Sequence, residues 1–398
     1  MSNIFEDFNN TKCCGCGNCI NVCPVSALSY SQDDYGFIIP NIDTSKCIDC
    51  GRCISVCPYK SNIKNSNHPQ KAFAAVNNDK NVLFNSASGG IFYEFAKYVL
   101  SKDGVVFGAA MLNDFYVKHI EVSSLDDISA LQKSKYIQSD LSNVFKRIKT
   151  IILEGKLVLF SGTPCQVTAL YSYLNDCNTK NLFTIDIVCH GVPSYKMFCD
   201  YISVLEKKLG NIEQYVFRAK KKPNNGMNDY VLIKTKNKKI LKNWCQDSYN
   251  GYMMKGLSNR DCCYTCKFSN ENRLSDCTLM DYWRWDYYFK DDFEIDASVS
   301  GIVINSEKGI EIFDLIKDRL HYVESSYEYI KKNNPCICNS SGDYEKHRQF
   351  MNVWKERGYD YLDKKYVKDN YLVIFKSWIM MHLPQKFVIL LSRRKNGY

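Results

Sequence analysis

The sequence predicts an α+β protein in which a small, cysteine-held N-terminal module precedes an α/β body built on a mixed sheet. Three observations predict it. Two cysteine runs of identical spacing fill the first 57 residues, apolar strands alternate with helix-period segments from residue 71 onward, and turn residues break several of those strands beside a cysteine.

The first run is Cys13, Cys16, Cys19 and Cys23 before Pro24, and the second is Cys47, Cys50, Cys53 and Cys57 before Pro58. The C-x2-C-x2-C-x3-C-P spacing gives three thiolates to one iron–sulfur cubane and sends the fourth to its partner, so two runs predict two 4Fe-4S clusters. Cys57 is then expected to join Cys13, Cys16 and Cys19, and Cys23 to join Cys47, Cys50 and Cys53. A disulfide scaffold or two zinc knuckles would require neither the duplicated spacing nor the proline after each run. Cys14 is a ninth thiol outside the pattern, expected to line a cluster without binding it. Residues 1–62 thus read as a dicluster ferredoxin-like module of the bacterial type, its halves repeating after about 34 residues and held by its clusters.

At 398 residues and 45% hydrophobic, the chain is long enough for two or three domains with a substantial core. The start, MSNIFEDFNN, lacks the basic and apolar regions of an export signal, and no run reaches the length of a membrane span. Twenty cysteines in such a chain favour metal ligation in a reducing cytoplasm over disulfides, and a cytoplasmic location is expected. The formal charge of +9 counts every thiol as neutral. Three four-thiolate clusters, at roughly −2 each, would leave about +3, and the Lys/Asn stretches at 219–225 and 234–239 read as solvated faces, so no nucleic-acid partner is expected.

Residues 63–70 are polar, contain Pro69 and suit a linker. The body then alternates. AFAAVN reads as a strand, and after SASGG at 86–90 a helix-period segment runs toward Gly104. GVVFGAAML and YVKHIEV look like paired strands, and LSNVFKRIKTIILEG places Val144, Ile148, Ile151 and Ile152 on one helix side. The strand LVLF at 157–160 breaks at Ser161-Gly162, where Pro164-Cys165 opens a helix; LFTIDIV at 182–188 repeats the design and breaks at Cys189-His190-Gly191. The next helix is capped by Ser194 and stopped by Gly210. Strands IEQYVF and YVLIKT, a helix near 247–258, a cysteine-rich turn at 262–277, strand GIVIN and helix SEKGIEIFDLIKDRL carry the body to about residue 340. Its two parts are expected at 71–155 and 156–340, followed by a helical extension at 341–398 whose apolar, basic-ended tail around Pro384 reads as packed helices or an interfacial anchor.

Four of the cysteines beyond the module stand out by context. Cys165 and Cys189 each follow an apolar strand, where side chains converge on one edge of an open sheet. Cys263 and Cys266 form a C-x2-C turn, so the four together would make a third cluster site. On spacing alone Cys189 reads equally as a core thiol, and Cys165 as a low-pKa thiol at a helix start. Ser86, Ser88, Gly89 and Gly90 precede a helix and suit a phosphate or simply a cap, while Lys133, Ser134, Lys135 and Tyr136 suit a dinucleotide. His190 reads as a donor to a cluster sulfur, a proton carrier or a structural residue.

On these motifs the chain resembles the beta subunit family of coenzyme F420 hydrogenases and dehydrogenases, in the form carrying an N-terminal two-cluster ferredoxin domain. The likeness covers roughly residues 1–300 through the two cluster runs, SASGG, KSKYIQS at 133–139, SGTPCQVTAL at 161–170, DIVCHGVPS at 186–194, VFRAK at 216–220, and NRDCCYTCKF followed by DCTLMDYW. The resemblance implies FAD and a further 4Fe-4S cluster in a flavoprotein body, with Cys165, Cys189, Cys263 and Cys266 as ligands and Cys262 as a substitute for Cys263. It implies an oxidoreductase that passes electrons between clusters and FAD. Its substrate would be coenzyme F420 or a similar hydride carrier, and its redox partner a ferredoxin or a hydrogenase/dehydrogenase subunit. A flavin/iron–sulfur reductase of surface polysaccharide biosynthesis, or an electron-transfer subunit without its own substrate, are the alternatives. The chain departs from the pattern where Met280 and Arg284 take glycine positions and Ala219 takes that of an aspartate.

Overall fold

The computed structural model describes residues 12–60, 67–221, 230–294, 297–340 and 342–382. In the module, strands β1 (Leu28–Gln32) and β2 (Ile38–Ile42) form an antiparallel hairpin. The short helices Asn18–Asn21 and Arg52–Ser55 each start from a glycine in the left-handed region, Gly17 at φ 75° and Gly51 at φ 71°. Both halves of the repeat therefore make the same turn, which presents the third cysteine of each run on a helix.

The body opens with β3 (Lys71–Asn77), β4 (Val105–Met111), β5 (Val117–Val122), β6 (Val158–Gly162) and β7 (Leu182–Ile187). β8 (Ile212–Ala219), β9 (Tyr230–Thr235) and β10 (Lys239–Asn243) form a separate antiparallel sheet, and β11 (Cys277–Asp281), β12 (Ser300–Ile304) and β13 (Leu320–Ser325) return to the first. The large sheet has the order β13-β3-β12-β11-β7-β6-β4-β5, with β4, β6, β7 and β11 parallel and the remaining pairs antiparallel. Its strands are covered on both faces. Val106, Leu159 and Phe183 pack into one core with Phe95, whereas Phe107, Phe160 and Leu182 point the other way toward Phe145 and Leu170. The period of two sends alternate residues to opposite faces, which is why these strands read as continuous apolar runs.

Most expected elements occur where the pattern placed them, including the helices Ile91–Leu100, Val144–Leu153, Pro164–Tyr173 and Tyr195–Leu209. Three differ. IEQYVF and YVLIKT leave the main sheet for the small one, the last residue of the expected cysteine-rich turn, Cys277, opens the buried strand β11, and Leu320 belongs to edge strand β13 rather than to the preceding helix. The extension packs: helix Tyr344–Asp369 buries Phe350, Met351 and Trp354 against the small sheet's core, and Gly358 at φ 71° kinks it. Pro384 and the rest of the tail lie outside the described residues. Among those described, no helix is long and apolar enough to cross a membrane.

The module is seated on the body by buried polar bonds. Asn18, with no exposed surface, donates to Val56 O at 3.0 Å and to Ala169 O at 2.7 Å. Ser172 reaches the same Val56 carbonyl at 2.9 Å, and Asn21 donates to Ser142 O at 2.8 Å. Gln138 accepts from Ile38 N at 3.0 Å, and Arg260 donates to the Cys13 carbonyl. Of the expected linker, residues 61–66 lie outside the described set, while Asn67 bridges to Arg273 and Lys71 already begins β3. Because Asn18 ties helix Pro164–Tyr173 to both halves of the module, Asn18→Ala is expected to lower unfolding free energy by about 2 kcal/mol, leaving a buried carbonyl without its donor. Chemical denaturation of the anaerobic protein measures it, and a change below about 0.5 kcal/mol would contradict the seat described here.

Candidate functional site

The site begins with strand pairing. β6 and β7 run parallel with Gly162 opposite Asp186, so the residues after both strands leave the sheet at the same edge. Thr163 and Gln166 form a capping box over the helix that starts at Pro164, which fixes Cys165 in the first turn, its Sγ 3.1 Å from Thr163 Oγ1. Cys189 follows β7 and its sulfur accepts from Gly191 N at 3.4 Å. The turn Asp261–Thr265 arrives from the other side, held by Arg260 N on Val192 O at 3.0 Å and by His347 Nε2 on Asp261 at 2.8 Å.

Cys165, Cys189, Cys263 and Cys266 consequently line one cavity of about 350 Å³, together with Cys262 and Cys14. Burial pushes the Cys189 thiol up, and the neighbouring Cys165 adds to it. The Cys262 thiol is drawn down to about 7 by a hydrogen bond from Cys263 and by the Arg260 charge, while that same bond pushes Cys263 up. Buried thiols that oppose one another's ionisation suit a cationic centre, which deprotonates its ligands outright. Among the described residues no three His, Cys, Asp or Glu converge closely enough for a single metal ion. The thiols surround a void instead, and that donor set fits a multi-iron cluster better than zinc.

The module shows the same arrangement twice. An inner cavity is lined by Cys13, Cys16, Cys19 and Cys57, and an outer one by Cys23, Cys47, Cys50 and Cys53, the exchange of fourth cysteines that the spacing requires. Cys16, Cys19 and Cys57 are buried, whereas Cys47 and Cys50 are half-buried beside Ile48, which is 60% exposed. Cys14 and Tyr59 line both the inner cavity and the body cavity, so they form the wall between them.

Away from the cysteines, the body cavity is lined by Ser86, Ser88, Gly90 and the segment Lys133 to Tyr136. Gly90, at φ 83°, immediately precedes helix Ile91–Leu100. Gly89 has a packing role instead of the expected phosphate contact: its N–H donates to Ser300 Oγ at 2.8 Å, and a Cβ there would meet Ala75 O at 2.4 Å. Lys135 turns its ammonium onto Gln132 O at 2.7 Å and Ala130 O at 2.9 Å, and burial with the Lys133 charge lowers it to about 7. Lys220, buried behind the serine turn, donates to Ser88 O at 2.9 Å and is likewise lowered to about 7 by burial and then by Arg218. Neither lysine makes an ion pair among the described residues. Lys135 in the lining, bonded only to carbonyls, with Lys220 behind the turn and an adjacent helix start, makes a cradle that fits a pyrophosphate.

His190 lines the cavity near the Arg218–Asp281 pair, and burial lowers it, so the imidazole is neutral. Met280 also lines it, and Arg284, at the other non-glycine position, takes φ 62°. Lys220, Arg260 and Arg273 were not singled out from the sequence, because each works through partners 60 or more residues away. Only VFRAK carried a signal for Lys220.

Two family models match parts of the chain. Residues 155–328 match the family described as the C terminus of the coenzyme F420 hydrogenase/dehydrogenase beta subunit, and residues 12–61 match the 4Fe-4S dicluster domain. Among solved structures, the xenon-derivatised F420-reducing NiFe hydrogenase complex from Methanosarcina barkeri is similar at 17% identity and a TM-score of 0.46, over 74% of this chain and 94% of that one. No curated protein matches. The chain thus joins an N-terminal segment that matches the 4Fe-4S dicluster domain to a region, residues 155–328, that matches the C-terminal part of the coenzyme F420 hydrogenase/dehydrogenase beta subunit.

Proposed function

We propose that this chain is an oxidoreductase component that carries single electrons between an external redox protein and FAD, with a deazaflavin such as coenzyme F420, or a similar hydride carrier, as substrate. One observation carries the reading: a single cavity has four cysteines suited to a third cluster and a phosphate cradle in the same lining, and it shares a wall with the module. The module ligands would be Cys13, Cys16, Cys19 and Cys57 on the inside and Cys23, Cys47, Cys50 and Cys53 on the outside. Cys165, Cys189, Cys263 and Cys266 would hold the body cluster, and the exposed edge at Ile48 suits docking of the redox partner.

FAD bound in the cradle would supply the exchange between hydride and single-electron transfer. The chain's own residues do the rest. Lys135 and the backbone at Gly90 would hold the pyrophosphate, Lys220 would add its charge from behind the serine turn, and the enclosing strand ends would exclude water. His190, held neutral by burial, is placed to give or take a proton at the cavity wall, with the Arg218–Asp281 pair beside it.

Anaerobically purified protein is expected to contain about twelve irons, and Cys165→Ser or Cys266→Ser about eight, with the module still loaded. Colorimetric iron analysis decides it: about eight irons in the wild type, or unchanged iron in both variants, sinks the body cluster.

A second expectation follows from the two lysines. Their pKa values stand at about 7 without ligand, and a bound pyrophosphate raises them. FAD affinity is therefore full below about pH 7 and falls as pH rises, because binding must then take up protons, by up to tenfold per unit for each lysine. Flavin fluorescence titrations between about pH 6 and pH 9 test this, and a flat profile would move the phosphates away from these residues.

A further inference from the structure

Arg260 sits at the seam between module and body, immediately before the turn that bears Cys262 and Cys263, and only 3% of it is exposed. Its Nε donates to the Cys13 carbonyl, and its Nη1 donates to Gln138 Oε1 at 3.2 Å. The guanidinium also lies over the Phe37 ring, 5.4 Å from its centroid. Gly15, between Cys14 and Cys16, has φ 68°, and a Cβ there would meet Arg260 Nη1 at 2.9 Å and Gln138 Nε2 at 2.2 Å. The cation is thus pressed against the backbone of the first cysteine run.

No carboxylate forms an ion pair with Arg260 among the described residues. One oxygen of Asp33, a carboxylate whose charge reaches Arg260, is taken by Tyr35 N and Phe37 N. The cysteines beside it are Cys13, whose carbonyl it holds, and Cys262, two residues further along the chain. A buried guanidinium without a counter-charge is costly to keep, so the negative partner must come from the thiolates on either side.

Granting the cluster sites proposed above, we propose that Arg260 is the shared counter-cation of the module's inner cluster and the body cluster, making both easier to reduce and setting the step between them. The step moves one electron from the inner cluster to the body cluster, and no bond or proton changes place. Reduction adds one negative charge at whichever centre receives the electron, and a fixed positive charge in a weakly screened interior favours that added charge. Nearby charge and hydrogen bonds are the means by which a protein tunes such a potential. Among the described residues Arg260 makes no hydrogen bond to the residues that frame the outer cluster site, Cys23, Cys47, Cys50 and Cys53, whereas it holds Cys13 of the inner one, so the outer site serves as the internal reference.

The test uses the full chain, purified anaerobically, as wild type, Arg260→Gln and Arg260→Lys, with iron analysis and EPR-monitored reductive titration. Arg260→Gln is expected to shift the reduction equilibrium of the inner and body clusters at least tenfold toward the oxidised state, about 59 mV for a one-electron couple. The outer cluster should move less than threefold. Arg260→Lys, which keeps the charge but not the fork of donors, should stay within threefold of wild type. Fully loaded Arg260→Gln with unshifted potentials overturns the proposal, as do equal shifts at all three clusters or an equal shift in Arg260→Lys. If Arg260→Gln loses iron, retention of iron and potential by Arg260→Lys supports the charge, and an equal loss in both overturns it. The wild-type iron count judges the earlier reading by itself, since the inner cluster's shift is read whichever way that count falls.

Discussion

The parallel pairing of β6 with β7 is the constraint on which the rest depends. Two adjacent parallel strands deliver their following loops to the same edge, and here those loops carry Cys165 and Cys189. β11, parallel to β7 on its other side, brings Asp281 to that edge as well, and the serine turn approaches through Gly89 packed on β3. One cavity therefore borders several strand ends, the place where open α/β sheets bind ligands. A shift of β7 by one residue would turn Phe183 and Ile185 out of their core and carry Cys189 away from Cys165.

Electrostatics then explains why the module cannot be an independent appendage. Its inner run presents the Cys13 carbonyl to Arg260 and the Asn18 amide to Ala169 O, so buried donors and acceptors on both sides would lose their partners if it left. Cys14, unused by the cluster spacing, fills the wall between the inner cavity and the body with Tyr59. The outer cysteines are more exposed than Cys16, Cys19 and Cys57 of the inner set.

Much of this was legible in the sequence, for identifiable reasons. The cysteine runs were readable because ligand spacing is local, and so was the exchange of Cys23 and Cys57 that the two module cavities display. Strands β4, β6 and β7 were readable because both their faces are buried and their apolar runs are short. β11 was hidden at the end of a cysteine-rich turn, since Cys277-Thr278 lacks an apolar run although both side chains are buried. Gly89 looked like a phosphate contact because glycine serves close approach to a ligand and close approach to a strand equally well. Arg260 and Lys220 lie within the motifs NRDCCYTCKF and VFRAK, but each acquires its role only when the fold brings distant carbonyls to it.

Anomalous scattering at the iron edge, from crystals of anaerobically prepared protein, tests the central claim most directly. The account predicts three multi-iron peaks, two in the module cavities and a third enclosed by Cys165, Cys189, Cys263 and Cys266. Two peaks with none in the body cavity, or a single-atom peak at the Asp261–Thr265 turn, would contradict it.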